Sequence, residues 1–202
     1  MKLISASSSP FVRKVKVVLI ETGQLDDVEL VAVKTAVNAV DPVVQAANPM
    51  GKIPTLLRPD APALYDSRVI CRFFDARAAA GLYPEQRLWD VLTLEATADA
   101  ILDAALLVVY EGRLRPKEQQ NDSWTEAQWS KVTKGLSALN TKWMSHLNGP
   151  LDMGQLAVGC ALGYLDFRHA ARNWRQGNDA LAHWFETFEK RESMQATVPR
   201  DS

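Results

Sequence analysis

The sequence predicts an α/β unit with a mixed four-stranded sheet, followed by an all-α unit. Three observations carry that expectation. Over the first seventy-odd residues short apolar runs alternate with a helical repeat in the order βαβ, then ββα. From Arg87 onward the pattern is helical almost throughout. The length, 202 residues, is long for one domain and comfortable for two small ones. The expected boundaries are residues 1–78 for the first domain, 79–86 for a linker and 87–202 for the helical domain.

Lys2 to Ala6 reads as a strand, ended by Ser7-Ser8-Ser9-Pro10. Phe11 to Thr22 places Phe11, Val15, Val18 and Leu19 at helical spacing, and Gly23 stops that helix. Ser9 before Pro10 has the form of an N-cap with proline in the first turn. Val28 to Val33 is the second strand, and 34–47 reads as a loop with a short helix. Asn48-Pro49-Met50-Gly51-Lys52-Ile53-Pro54 is a rigid turn, because proline fixes φ and removes a donor. By spacing alone it is either a plain loop or a turn that presents Ile53 main chain to a ligand. Thr55 to Arg58 and Ala63 to Tyr65, joined by Pro59-Asp60-Ala61-Pro62, form a hairpin, after which Asp66-Ser67 caps a helix carrying Val69, Ile70, Phe73 and Phe74.

Composition excludes several classes. Apolar residues make up 47% and charged residues 23%, so a sizeable core is available, and a formal net charge of −1 offers no long-range field for nucleic acid or an anionic membrane. Arg113, Arg115 and Lys117 read as a solvated loop. Cys71 and Cys160 stand far apart in apolar runs, a usage that suits thiols in a reducing compartment. Leu156 to Leu165, the longest apolar segment, is half a membrane span. Met1-Lys2-Leu3-Ile4 runs straight into a strand, so export is not expected. The expectation is a cytoplasmic protein without nucleic-acid or membrane partners. His146, His169 and His183 have no ligand-like spacing, and no metal is expected.

Ser9-Pro10-Phe11-Val12-Arg13-Lys14-Val15, Asn48-Pro49-Met50-Gly51-Lys52-Ile53-Pro54 and Tyr65-Asp66-Ser67-Arg68-Val69-Ile70 resemble, in order and separation, the three signature stretches of cytosolic glutathione S-transferases. Cys160 to Arg168 extends the resemblance into the second half. It implies a thioredoxin-like first domain, a helical-bundle second domain, a cis Ile53–Pro54 bond, glutathione as co-substrate and a homodimer.

Glutathione carries two carboxylates, an amine and a thiol. A free thiol titrates near 8.5, so ionising it at neutral pH asks for a shift of roughly two units, or about 3 kcal/mol. A hydroxyl donor supplies about 1.5–3 kcal/mol and a helix N-terminus about 0.3–2. The resemblance implies that Ser9, rather than the adjacent Ser7 or Ser8, stabilises the thiolate, with a structural cap as the alternative. Phe11 falls in the same stretch. Ile53, with Pro54, would pair its main chain with the cysteinyl unit, Lys52 would reach a carboxylate, Ser67 would bind the γ-glutamyl carboxylate and Asp66 the amine. Each of these has an ordinary loop or cap reading beside it. Relatives often place a basic residue before the Asn-Pro turn; here Thr35 to Ala47 holds none, and Lys34 is the nearest.

In the second half, Leu88 to Tyr110 is a long amphipathic helix, Ser123-Trp124-Thr125-Glu126 reads as a capping box, and Asp152-Met153-Gly154-Gln155 as another. Tyr110 and Trp174 are candidates for a co-substrate pocket, with core packing as the alternative for each. Asp99 would pair with the glutathione amine across a dimer or be a solvated helix residue. The function expected is activation of the glutathione thiolate for attack on an electrophile. Glutathione-dependent isomerisation or peroxide reduction, and a non-catalytic interaction protein of the same fold, are the alternatives.

Overall fold

A computed structural model describes residues 1–201. The chain forms two compact units: Met1–Tyr83 together with the segment from Glu192 onward, and Pro84–Arg191. The sequence predicts residues 87–202 as the helical domain; in the structure the described residues from Glu192 join the first unit.

The first unit opens with β1 (Lys2–Ser5), α1 (Pro10–Glu21), β2 (Glu29–Ala32) and α2 (Pro42–Ala47), and continues with β3 (Thr55–Arg58), β4 (Ala61–Leu64) and α3 (Ser67–Ala78). The sheet order is β2-β1-β3-β4, with β1 parallel to β2 and antiparallel to β3, and β3 antiparallel to β4. This is the mixed four-stranded sheet the sequence predicts. Apolar side chains from the sheet and from α1 and α3, among them Leu3, Ile4, Val15, Leu56, Ile70 and Phe74, are completely buried. A short helix α9 (Glu192–Ala196) packs on α1. Arg13 donates to the Met194 carbonyl at 3.1 Å and to Thr197 at 3.4 Å, and Ser193 donates to Glu21. These bonds, together with the buried Met194, hold the segment in place.

The second unit contains α4 (Leu88–Leu114), α5 (Asp122–Lys142), α6 (Met144–Leu147), α7 (Met153–His169) and α8 (Asp179–Phe188). Its core lies where α4 packs against α5 and α7. The predicted box at Asp152 forms: Gln155 N–H donates to Asp152 at 3.3 Å, and Asp152 N–H to the Gln155 side chain at 3.2 Å. The predicted box at Ser123 does not. Asn121 caps α5, accepting from Trp124 N–H at 3.0 Å, while the Ser123 hydroxyl donates to Asn121 at 2.8 Å. The shift has a tertiary cause, because the Glu111 carboxylate accepts the Asn121 N–H at 2.9 Å and anchors the loop two residues before Ser123. Cys71 and Cys160 are both buried and form no disulfide among the described residues. Among the described residues no helix is long and apolar enough to cross a membrane.

Candidate functional site

Strand directions decide which loops meet. Because β1 and β3 are antiparallel, as are β3 and β4, the end of β1, the start of β3 and the end of β4 share one edge of the sheet. The three stretches singled out in the sequence leave or enter the sheet there, on neighbouring strands. Strands lie about 4.8 Å apart, so three neighbouring chain ends spread over about 10 Å. An extended tripeptide, at about 3.3–3.6 Å per residue, has the same length.

At the first of these ends, Ser9 is the N-cap of α1 with extended backbone (φ −80°, ψ 120°) and Pro10 follows in the first turn. The Ser9 hydroxyl oxygen accepts the Val12 N–H at 3.3 Å, which leaves its own proton available to donate. Ser7 differs: its hydroxyl donates to the Arg200 carbonyl at 3.1 Å. Ser9, Ser8 and Phe11 are half-buried, whereas Ser7 is exposed.

The second end is organised by Asn48, 2% exposed. Its side chain donates to the Lys52 carbonyl at 3.0 Å and to Thr55 at 3.2 Å and accepts the Met50 N–H at 3.0 Å. Gly51 turns the chain at φ +62°, where an added Cβ would also press on Val40 at 3.1 Å. Ile53–Pro54 is cis, as the resemblance implied. Among the described residues the main-chain groups of Ile53 make no hydrogen bond, and the Lys52 side chain is exposed.

At the third end, the Tyr65–Asp66 bond is also cis, which nothing in the sequence signalled. Asp66 is the N-cap of α3 and accepts the Arg68 N–H at 2.9 Å and its guanidinium at 2.8 Å. Burial pushes the Asp66 carboxyl up, but the bonds from Arg68, its charge and that of Lys14 outweigh burial and hold the group below its ordinary value. Lys14, fully buried in α1, thus acts on the start of α3. Ser67 is the first residue of α3 and 2% exposed. The segment that precedes Asn48 offers no cation beyond the exposed Lys34.

Tyr110 and Trp174 belong to the second unit. Trp174 is 3% exposed, its indole N–H donates to Asp166 at 2.8 Å, and the Arg175 guanidinium lies 4.5 Å from its ring centre. Its ring is used in packing. Tyr110 is half-buried near Arg113 and Tyr164; burial pushes its hydroxyl up, and pushes that of Tyr164 up to about 12. Asp99 is 8% exposed rather than solvated. In the same unit α4 and α5 border an open groove of about 530 Å³ lined by Trp89, Thr93, Ala96, Thr97, Ala100 and Lys131, with Trp89 78% exposed. Among the described residues no cluster of three metal-ligating side chains occurs.

Known proteins share this plan. A family model of the glutathione S-transferase N-terminal domain matches residues 3–82, and one of the C-terminal domain matches residues 122–187. The uncharacterized GST-like protein YibF of Escherichia coli (strain K12) is 30% identical over 98% of both chains. A glutathione transferase family member from Pseudomonas fluorescens Pf-5, solved with bound glutathione, is 41% identical, covers 99% of both chains and superposes with a TM-score of 0.96. A structure from the same organism with bound S-(propanoic acid)-glutathione, also 41% identical, covers 100% of both chains with a TM-score of 0.91.

Proposed function

The chain belongs to the glutathione S-transferase family, and from that premise we propose that it binds glutathione along the sheet edge of the first unit and ionises its thiol for attack on an electrophilic carbon. The observation that carries the proposal is the Ser9 hydroxyl, which accepts from Val12 at the start of α1 and so has its proton to give. A thiolate placed there receives a charge-assisted bond and the favourable end of the helix dipole, together enough for the shift of about 3 kcal/mol that neutral pH demands.

The remaining anchors follow from chemistry. Ile53 offers unengaged main-chain groups to the cysteinyl unit, beside Pro54. Ser67, at the start of α3, offers its N–H and hydroxyl to the γ-glutamyl carboxylate. Asp66, kept ionised by Arg68 and Lys14, takes the amine. Phe11 borders the thiol position, and Lys52 reaches a carboxylate of the tripeptide. In the second unit Tyr110 is the candidate for binding the electrophile, whereas Trp174 is buried and serves packing. Conjugation is preferred over isomerisation, peroxide reduction or a purely interacting role. The S-(propanoic acid)-glutathione held by the Pseudomonas relative supports this, because it is glutathione whose sulfur already bears a new bond to carbon. A homodimer across the α4 groove is part of the proposal, supported by the exposure of Trp89.

The test is the ultraviolet absorbance of the thiolate in the bound complex across pH. The wild-type chain should show the thiol ionised near neutrality, and Ser9→Ala should return it toward 8.5 while still binding glutathione. Unchanged titration and unchanged conjugation by Ser9→Ala would overturn the role of Ser9.

A further inference from the structure

The end of the chain reaches the serine loop. The Ser7 hydroxyl donates to the Arg200 carbonyl at 3.1 Å, and the Arg200 N–H donates to the Ser7 carbonyl at 3.5 Å. This two-way clasp lies two residues from Ser9, a stretch of at most about 7 Å even when extended. It is not a loose end: Arg13 holds Met194 and Thr197, and Met194, Thr197 and Pro199 are buried. The Arg200 side chain is exposed and has no hydrogen bond or ion pair among the described residues. Several bonds thus hold the Arg200 main chain two residues from Ser9, within reach of its long side chain to the proposed thiol position.

We infer that Arg200 is a specificity-determining residue that recognises a carboxylate on the electrophile, so that the favoured substrates are short unsaturated acids whose reacting carbon lies two carbons from the carboxyl group. This deepens the glutathione reading and rests on it. The chemistry calls for such a group. A thiolate and a carboxylate-bearing alkene repel each other, and an ionised carboxylate activates its alkene poorly. A planar guanidinium pairs both carboxylate oxygens at once, removes the repulsion and draws electron density from the alkene. In the addition, the thiolate sulfur forms a bond to the β-carbon. The π pair of the alkene moves to the α-carbon, which takes a proton from water to give a thioether with a two-carbon acid arm. The carboxylate then stands only two methylenes from sulfur, so a group that pairs it must lie close to the thiol position. The ligand of the Pseudomonas relative is a thioether of this composition.

The experiment is calorimetry on the full chain with glutathione, S-(2-carboxyethyl)glutathione and its neutral carboxamide, for the wild type, Arg200→Gln and Arg200→Lys. Binding of ready-made conjugates needs no turnover. The wild type should bind the acid about fivefold to tenfold more tightly than the amide. Arg200→Gln should bring that ratio to about one, and Arg200→Lys should keep part of it. A wild-type ratio near one, or an Arg200→Gln ratio equal to the wild type's, would overturn the inference while leaving glutathione binding intact. Failure of the wild type to bind glutathione at all would overturn both this inference and the reading it rests on.

Discussion

Ser9 and Asp152 perform the same local task in opposite surroundings. Each is an N-cap whose side-chain oxygen accepts a backbone N–H in the first turn of its helix. Asp152, at the start of α7, is wholly inaccessible. One of its oxygens meets His146 at 2.8 Å and Arg87 at 3.4 Å, while Gln155 returns the cap and donates to the carbonyls of His146, Leu147 and Gly149. Ser9 is half-buried at a sheet edge, with one bond accepted and a proton left over. A cap enclosed by its own unit contributes to folding, whereas a cap left open at an edge can also serve a ligand.

Breaking the two caps sharpens that contrast. The largest effect is expected from Asp152→Ala, which leaves buried partners behind and should lower unfolding free energy by about 3–5 kcal/mol. Glutathione affinity per folded molecule should stay as in the wild type, which titration beside a chemical denaturation curve will check. Next, Ser9→Ala should cost only about 1 kcal/mol of stability but about 10- to 100-fold in conjugation rate at neutral pH. Equal losses of stability in the two variants would erase the distinction between them.

A smaller effect is expected at Ser67, the first residue of α3 after the Asp66 cap. Ser67→Ala removes one hydroxyl from the start of α3 and should weaken glutathione binding by about twofold to tenfold, with no change in the pH at which bound thiol ionises. A shift in that pH would instead link Ser67 to the thiol.

The smallest prediction concerns a group enclosed in the helical unit. Burial pushes His169 below its ordinary 6.5, and the charges of Arg172 and Arg168 add to this, while its contact with the Ala105 carbonyl at 3.0 Å opposes it. The folded chain therefore resists protonation that the unfolded chain accepts. The resulting stability is complete above 6.5 and is lost as pH falls through the depressed folded value. Denaturation midpoints at pH 7.5 and 5.5 should differ more for the wild type than for His169→Gln. An equal difference in both would show that His169 is protonated as easily in the fold as out of it.

Much of the candidate site's backbone geometry is legible in the sequence because its signals are local. Ser9-Pro10, the Asn48 to Pro54 turn and Asp66-Ser67 each state a backbone conformation within a few residues, and a cap or a proline acts over that range. The box at Asp152 was legible for the same reason. At Ser123 the same signal misled, since Glu111, ten residues before Asn121, holds the Asn121 N–H and moves the start of α5. Trp174 could not be judged from its own neighbourhood. What buries it is Asp166, Arg175 and Phe185, brought together by the folding of α7 and α8.

By itself, then, the sequence determined the two periodicities, the order βαβ-ββα, the caps at Ser9, Asp66 and Asp152 and the family to which they belong, all of which rest on spacing and short-range chemistry. Only the tertiary structure decided that β1, β3 and β4 bring three distant turns to one edge. It also decided that the residues from Glu192 onward leave the helical unit for α1, and that Arg200 meets Ser7. Pairings such as Arg13 with Met194 or Ser7 with Arg200 join residues more than 180 positions apart. No local pattern encodes them; they exist because burying Met194 and the bonds from Arg13 Nε and Nη2 lower the free energy only once both ends of the chain are in place.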